Sequence, residues 1–102
     1  MKAIVFGCGY YWNNVEEFSL MDTSVEICGF IDNNPHDNIL HPEALWNLNF
    51  DKVIICNIND KDKLEMMNQL IDMGIDISRI SFIEEFHKCY QCRIRALGKN
   101  HF

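Results

Sequence analysis

Four short apolar runs, separated by polar or amphipathic stretches, constrain the fold of this chain most strongly. The runs cover residues 3–6, 25–31, 53–58 and 80–83, and they are rich in Ile, Val and Phe. A near-continuous apolar run of this length, bounded by turn residues, is typical of a strand that is buried on both faces of a parallel sheet. We therefore predict four parallel strands that are joined by right-handed crossovers.

The stretches between the runs predict two of the helices. Val15, Phe18 and Met21 repeat at helical spacing, which indicates an amphipathic helix that ends near Thr23. A second, short helix is predicted to begin at Pro42, because proline is favoured at the first helical position. The apolar residues that it carries are Leu45, Trp46 and Leu48.

The clearest helical pattern follows the third run. Asn59 or Asp60 can cap this helix, and Gly74 supplies a left-handed stop. Its predicted apolar face consists of Leu64, Met67, Leu70 and Ile71. Strands that alternate with helices predict an α/β domain with a four-stranded parallel sheet and helices on both faces. We expect the strand order 2-1-3-4, which is common in doubly wound sheets.

Length and charge limit the organisation and the partners. The 102 residues fit one domain, which we place at 1–83, followed by a basic, helical tail at 84–102. Because the net charge is −6 and the acidic excess lies in the domain, we expect no binding of nucleic acid. The sequence shows no apolar run of 18 residues and no signal-peptide pattern, so we expect a cytoplasmic protein without a transmembrane segment. The chain has five cysteines, an odd count, and three of them lie in or beside apolar runs, namely Cys8, Cys28 and Cys56. We expect these three to be buried, reduced thiols, which fit a reducing compartment.

A glycine turn follows the first predicted strand and reads Gly7-Cys8-Gly9-Tyr10-Tyr11-Trp12. Bare backbone N–H groups between a strand and a helix can face a phosphate. Tyr10 and Tyr11 can stack on a base or a sugar ring. Trp12 occupies the third glycine position of the dinucleotide fingerprint, and its bulk argues against NAD. Trp12 could instead fill an empty cleft or pack against a partner.

Polar residues follow the second and third runs. Asp32 lies 23 positions after Gly9, which is close to the spacing of the acid that binds a ribose diol in dinucleotide-binding folds. Asn33 and Asn57 can also hydrogen-bond a ligand. The alternative is that all three residues only form turns and helix caps. The full set of candidate ligand-binding residues is Gly7, Cys8, Gly9, Tyr10, Tyr11, Asp32, Asn33 and Asn57.

Four sequence blocks carry a resemblance to a known family: KAIVFGCGYYW, EICGFIDNNP, HPEALWNLNFDKVIICNI and LIDMGIDISRISFI. Together they resemble the small Rossmann-like domain at the N-terminus of bacterial sugar O-acyltransferases of the sialic-acid O-acetyltransferase type. The resemblance covers about residues 1–83. It implies a Rossmann-like three-layer sandwich that binds a nucleotide-sugar, of UDP or CMP type, through Gly7, Gly9 and Asp32. In such enzymes acyl transfer belongs to a separate left-handed β-helix.

The sequence contains no complete catalytic set. It has no hexapeptide repeats, and no lysine stands four places after Tyr10, Tyr11 or Tyr90, as hydride transfer of the Tyr-x-x-x-Lys type requires. The resemblance therefore implies a binding module of surface-polysaccharide biosynthesis, which works with a catalytic partner or with a missing downstream domain of a sugar-modifying transferase. Two alternatives stay open. One is an interaction domain with a closed pocket that assembles through its tail, for instance as a homodimer. The other is a fragment of an NAD-dependent oxidoreductase or epimerase.

The tail also contains weak candidates for a metal site. His87, Cys89, Cys92 and His101 have side chains of the types that bind zinc, but the spacing fits only in part. A single C-x-x-C without a second pair is weak evidence for zinc or for redox chemistry. We therefore expect no metal here and consider surface or packing thiols the simpler interpretation.

Overall fold

A four-stranded parallel sheet forms the centre of the domain. The computed structural model describes residues 1–7, 25–57 and 59–85. Its strands are β1 (Lys2–Phe6), β2 (Glu26–Ile31), β3 (Lys52–Ile55) and β4 (Ile80–Phe82). All three strand pairs are parallel, and the order is β2-β1-β3-β4. The predicted α/β class and strand order are confirmed.

One α-helix, α1 (Asp60–Asp72), connects β3 to β4. The side chain of Asn59 caps it by accepting a hydrogen bond from the backbone N–H of Asp62, at 3.0 Å. Gly74 follows its last turn at φ 93°, in the region that favours glycine. The predicted cap and stop of this helix are therefore both confirmed.

Short 3₁₀ helices occupy three of the connections, at Pro42–Asn47, Ile77–Arg79 and Ile83–Glu85. The first is the short helix that was expected to begin at Pro42. The third takes Ile83 out of β4, which ends one residue before its predicted end. The helix predicted over 15–23 and the tail after Glu85 lie outside the described residues.

The core consists of two apolar clusters, one on each face of the sheet. Ile4 and Phe6 of β1 point to one face, where Leu45 of the first 3₁₀ helix and Leu70 of α1 pack against them. The alternate residues belong to the other cluster, whose buried members are Ala3, Val5, Ile54, Cys56 and Ile83. Leu45 lies in the connection from β2 to β3, and Leu70 lies in the connection from β3 to β4. Both connections run in the same direction across the sheet, so right-handed crossovers place them on the same face.

The buried face of α1 differs from the predicted one. Leu70 is fully buried, and Met67 packs against the core as expected. Leu64 and Ile71, however, are 55% and 39% exposed, while Met66 and Met73 pack against the core in their place. The prediction was wrong for Leu64 and Ile71. Met67 and Leu70 can share a helix face either with Leu64 and Ile71 or with Met66 and Met73, and the sequence pattern does not distinguish the two faces. The face that includes Met66 and Met73 is the one that packs against the core.

Strand β2 is an edge strand with an irregular register. Ala3 pairs with Ile27, whereas Ile4 pairs with Gly29, so Cys28 is the extra residue of a β-bulge. Its thiol is free and exposed, in contrast to the buried thiol of Cys56. The expectation of a buried thiol was therefore wrong for Cys28, because the bulge takes this residue out of the regular pairing with β1.

No helix within residues 1–7, 25–57 and 59–85 is long and apolar enough to cross a membrane.

Candidate functional site

The strand order places a crevice between β1 and β3. The chain leaves β1 towards β2 and leaves β3 towards β4, so the connections diverge between the two central strands. In open parallel sheets, ligands bind beyond the carboxyl ends of the strands at this reversal point. Gly7 follows β1 there, and Asn57 lies two residues beyond β3. Asp32 directly follows the neighbouring strand β2.

Gly7 lies in a position that only glycine fits. Its φ is 95°, and a Cβ atom added to it would lie 2.9 Å from the carbonyl oxygen of Cys56 and 2.9 Å from the Cε atom of Met66. Its N–H group donates to the carbonyl oxygen of Ile31 at 3.1 Å. The Gly7 backbone, the Cys56 carbonyl group and the Met66 methyl group are therefore packed together at the end of β1.

Asp32 starts the loop that follows β2. Its Oδ1 atom accepts a hydrogen bond from the backbone N–H of Asn34 at 3.0 Å, which closes a side-chain turn of the type that aspartate favours. Its own N–H group donates to the carbonyl oxygen of Leu40 at 2.9 Å. These two bonds fix the carboxylate at the end of β2, beside the end of β1.

The side chain of Asn33 pairs with α1. Its Nδ2 atom donates to Oε1 of Gln69 at 3.1 Å, and Nε2 of Gln69 donates back to Oδ1 of Asn33 at 2.7 Å. This reciprocal amide pair ties the loop after β2 to the helix. Both amides are engaged with each other here. Sequence reasoning missed Gln69, since a single glutamine on a helix surface carries no pattern that indicates its partner.

Asn57 fixes the turn between β3 and α1. Its Oδ1 atom accepts a hydrogen bond from the N–H of Asn59 at 2.9 Å, and its Nδ2 atom lies 3.8 Å from the sulfur of Met66. Because Met66 also reaches Gly7, the structure brings Gly7, Asn57 and Met66 together at the reversal point. Met66 is a second residue that sequence reasoning missed.

Charged side chains surround this edge of the sheet. Asp60 and Asp62 lie in the first turn of α1, and Glu84 and Glu85 follow β4. Lys63 forms an ion pair with Glu84 at 2.7 Å, and its ammonium group lies 5.5 Å from the centre of the Phe82 ring. The described part of the edge is therefore mainly acidic.

Several predicted site residues lie outside the described ranges. These are Cys8, Gly9, Tyr10, Tyr11 and Trp12 of the glycine turn and His87, Cys89, Cys92 and His101 of the tail. Within the described part of the chain, no group of three or more His, Cys, Asp or Glu side chains is arranged to hold a metal ion. The structure thus places Gly7, Asp32, Asn33 and Asn57 at one edge of the sheet.

This edge offers groups for binding. Asp32 supplies a carboxylate acceptor, Asn57 supplies an amide, and Gly7 adds no side chain between them. No curated protein matches the chain significantly. Residues 1–81 match the family model described as C2185-like, N-terminal. Because this match spans most of the 102 residues, the chain belongs to the C2185-like N-terminal family.

Proposed function

We propose that this domain binds a nucleotide or a nucleotide-sugar at the carboxyl ends of β1 and β2. One observation carries the proposal, namely the position of Gly7 beside Asp32. Phe6 pairs with Ile31 in the sheet, so Gly7 and Asp32 are the next residues of two neighbouring parallel strands. A backbone without a side chain next to a carboxylate is the arrangement that accepts the sugar of a nucleotide close to a sheet edge.

The chemistry of each group fits this role. The carboxylate of Asp32 accepts hydrogen bonds from a pair of sugar hydroxyl groups, which are donors in any ribose. Gly7 places no side chain between the carboxylate of Asp32 and the end of β1, and its positive φ together with the contacts of Cys56 and Met66 excludes other residues there. The sequence predicts that Tyr10 and Tyr11 stack on the base or the sugar. In this proposal the domain binds the substrate for a sugar-modifying transferase, and the transfer step belongs to another domain or partner protein.

The test compares two aspartates of the same loop. Asp32→Asn removes the charge and one strong acceptor, while the amide oxygen still accepts from Asn34, so the turn is preserved. Asp37→Asn removes the same charge five residues later, at a φ of 51° that asparagine tolerates. Isothermal titration with UDP, UDP-sugars, CMP and NAD measures affinity for the wild type and both variants.

We expect Asp32→Asn to weaken binding at least tenfold, because a hydrogen bond to a charged group contributes about 1.5–3 kcal/mol. Asp37→Asn should bind within about twofold of the wild type, since only screened, long-range charge is lost. Equal loss in both variants would show that net charge alone matters, and the proposed contact with Asp32 would be wrong. Binding of none of these ligands would instead favour an interaction domain with a closed pocket.

A further inference from the structure

The reciprocal amide pair of Asn33 and Gln69 joins the loop after β2 to the helix that follows β3. Its two hydrogen bonds measure 3.1 Å and 2.7 Å. Asn33 is exposed and Gln69 is half-buried. Because each amide both donates to the other and accepts from it, the pair restricts the relative orientation of the two side chains more than a single hydrogen bond would.

Asn33 occupies the centre of the side-chain turn that Asp32 closes. The bond of this turn runs from the backbone N–H of Asn34 to Oδ1 of Asp32, at 3.0 Å. Asn33 lies between these two residues, so both of its peptide groups belong to the turn. Fixing the Asn33 side chain therefore restricts the backbone of the turn. It also restricts the rotamer that brings the Asp32 carboxylate to the N–H of Asn34.

Gln69 is a firm anchor because the helix around it is tied to the rest of the domain. The next residue, Leu70, is fully buried. Three residues before Gln69, the sulfur of Met66 lies 3.8 Å from Nδ2 of Asn57. The Cε atom of Met66 also approaches Gly7. The amide pair therefore connects the turn of Asp32 to a helix segment that is held on both sides of Gln69.

The backbone hydrogen bonds of the loop act differently, since they join the loop to itself or to β2. The N–H of Asp32 donates to the carbonyl oxygen of Leu40, and the N–H of Leu40 donates to Phe30. His36 and Ile39 exchange two further bonds within the loop. These bonds shape the loop at the end of the edge strand, and the amide pair fixes it against α1.

We infer that Gln69 is a positioning residue of the proposed nucleotide site and that, through Asn33, it sets a preference for ribose over 2′-deoxyribose. The inference rests on the proposed function and deepens it. Two hydroxyl groups of one sugar must reach the Asp32 carboxylate together, so that carboxylate has to keep one orientation. Affinity falls with the fraction of molecules that hold the competent orientation. A net hydrogen bond changes an equilibrium constant about fivefold, so loss of the amide pair weakens binding of a ribonucleotide about fivefold.

The experiment compares ligands that differ only in the 2′-hydroxyl group. Isothermal titration with UDP and 2′-deoxy-UDP, and with CMP and 2′-deoxy-CMP, gives two ratios of dissociation constants. Destabilisation of the whole domain lowers both affinities of a pair equally and leaves the ratio unchanged. For the wild type we expect the 2′-deoxy ligand to bind at least about tenfold more weakly, because a hydrogen bond to a charged group is lost.

Three variants locate the effect. Gln69→Ala should weaken binding of the ribonucleotide about fivefold and of the 2′-deoxy ligand less than about twofold, so the ratio falls. Asn68→Ala removes an exposed amide from the preceding residue of the same helix and should keep the wild-type ratio. Asn33→Gln combined with Gln69→Asn exchanges the two amides at constant total side-chain length. This exchanged pair can form the reciprocal bonds again and should restore the ratio to within about twofold.

Hydrogen exchange tests the anchoring of the turn without any ligand. The backbone N–H of Asn34 donates to Asp32, and NMR measures its exchange with solvent. We expect Gln69→Ala to accelerate this exchange about fivefold, because the turn opens more often. Asn68→Ala and the exchanged pair should stay within about twofold of the wild type. Circular dichroism verifies that all variants are folded.

The outcomes separate this inference from the proposed function. If the nucleotides bind but Gln69→Ala keeps the wild-type ratio, or leaves the exchange of Asn34 unchanged, the inference is wrong while nucleotide binding stands. Equal effects of Gln69→Ala and Asn68→Ala would also refute it, because the change would then belong to the helix as a whole. If none of the four nucleotides binds to the wild type, the proposed function fails, and the role of Gln69 in it fails as well.

Discussion

Replacement of Gly7 by alanine is expected to destabilise the domain more than any other glycine substitution among the described residues. Two separate penalties act at this position. The φ of 95° is unfavourable for any residue with a Cβ atom, and left-handed backbone costs such residues about 1–2 kcal/mol. The new Cβ would also lie 2.9 Å from the carbonyl oxygen of Cys56. Overpacking of this kind costs about 1–3 kcal/mol.

The carbonyl group of Cys56 has little freedom to move away. The N–H of Cys56 donates to the carbonyl oxygen of Phe6 at 2.8 Å. This bond extends the pairing of the central strands β1 and β3 by one residue, since Phe6 and Ile55 are their last paired residues. The Cε atom of Met66, also 2.9 Å away, is the end of a flexible side chain and can rotate. Strain and crowding together therefore reduce the free energy of unfolding by about 3 kcal/mol. Urea titration followed by circular dichroism should show the midpoint lowered by about 1.5 M.

Two other glycines serve as controls that separate the penalties. Gly74 has a φ of 93°, but nothing lies within 4 Å of an added Cβ, so Gly74→Ala measures strain alone and should cost about 1–2 kcal/mol. Gly29 does not have a positive φ, and its Cβ would lie 3.4 Å from the Cδ1 atom of Ile4, so Gly29→Ala should change stability by less than about 1 kcal/mol. If Gly7→Ala costs no more than Gly74→Ala, the rigid contact with Cys56 does not exist as described.

Two further predictions concern α1 and the turn that follows it. Leu70→Ala should lower the free energy of unfolding, measured by urea titration, by about 2–5 kcal/mol, because Leu70 is fully buried. Leu64→Ala should lower it by less than about 1 kcal/mol, because the Leu64 side chain is 55% exposed. Similar losses of stability in the two variants would contradict the observed buried face of the helix. Hydrogen bonds from the side chain and the backbone N–H of Ser78 hold the pKa of Asp76 below its ordinary value of 3.8. The ionised carboxylate therefore stabilises the fold above pH 3.8. This stabilisation is lost as the pH falls through the lowered pKa of Asp76. Asp76→Asn does not titrate, so its stability relative to the wild type should rise between pH 5 and pH 2; a constant difference over that range would refute the assignment.

The sheet could be predicted from the sequence because the signals for its strands are local. Each strand is an apolar run that must be buried on both faces, and the strand order is a common one for doubly wound sheets. The cap at Asn59 and the stop at Gly74 are equally local, since each depends on one residue type at a helix end. The buried face of α1 was less predictable. Leu64 and Met66 are both apolar, and tertiary contacts select between them.

The candidate site could be predicted only in outline. Gly7 and Asp32 were identified because residue type and position after a strand are sequence properties. The amide pair of Asn33 with Gln69 joins residues that are 36 positions apart, and no periodicity indicates it. The same is true of the approach of Met66 to Gly7. Both contacts depend on how α1 lies across the sheet.

These geometries also determine which variant tests binding. Gly7 belongs to the crevice, but its substitution disturbs the backbone of β1 and the carbonyl group of Cys56, so lost binding in Gly7→Ala would be inseparable from lost stability. Asp32→Asn keeps an oxygen acceptor for the N–H of Asn34 and leaves the backbone unchanged. It therefore removes ligand chemistry while the loop is retained. A stable Asp32→Asn variant that still binds nucleotides like the wild type would move the site away from β2.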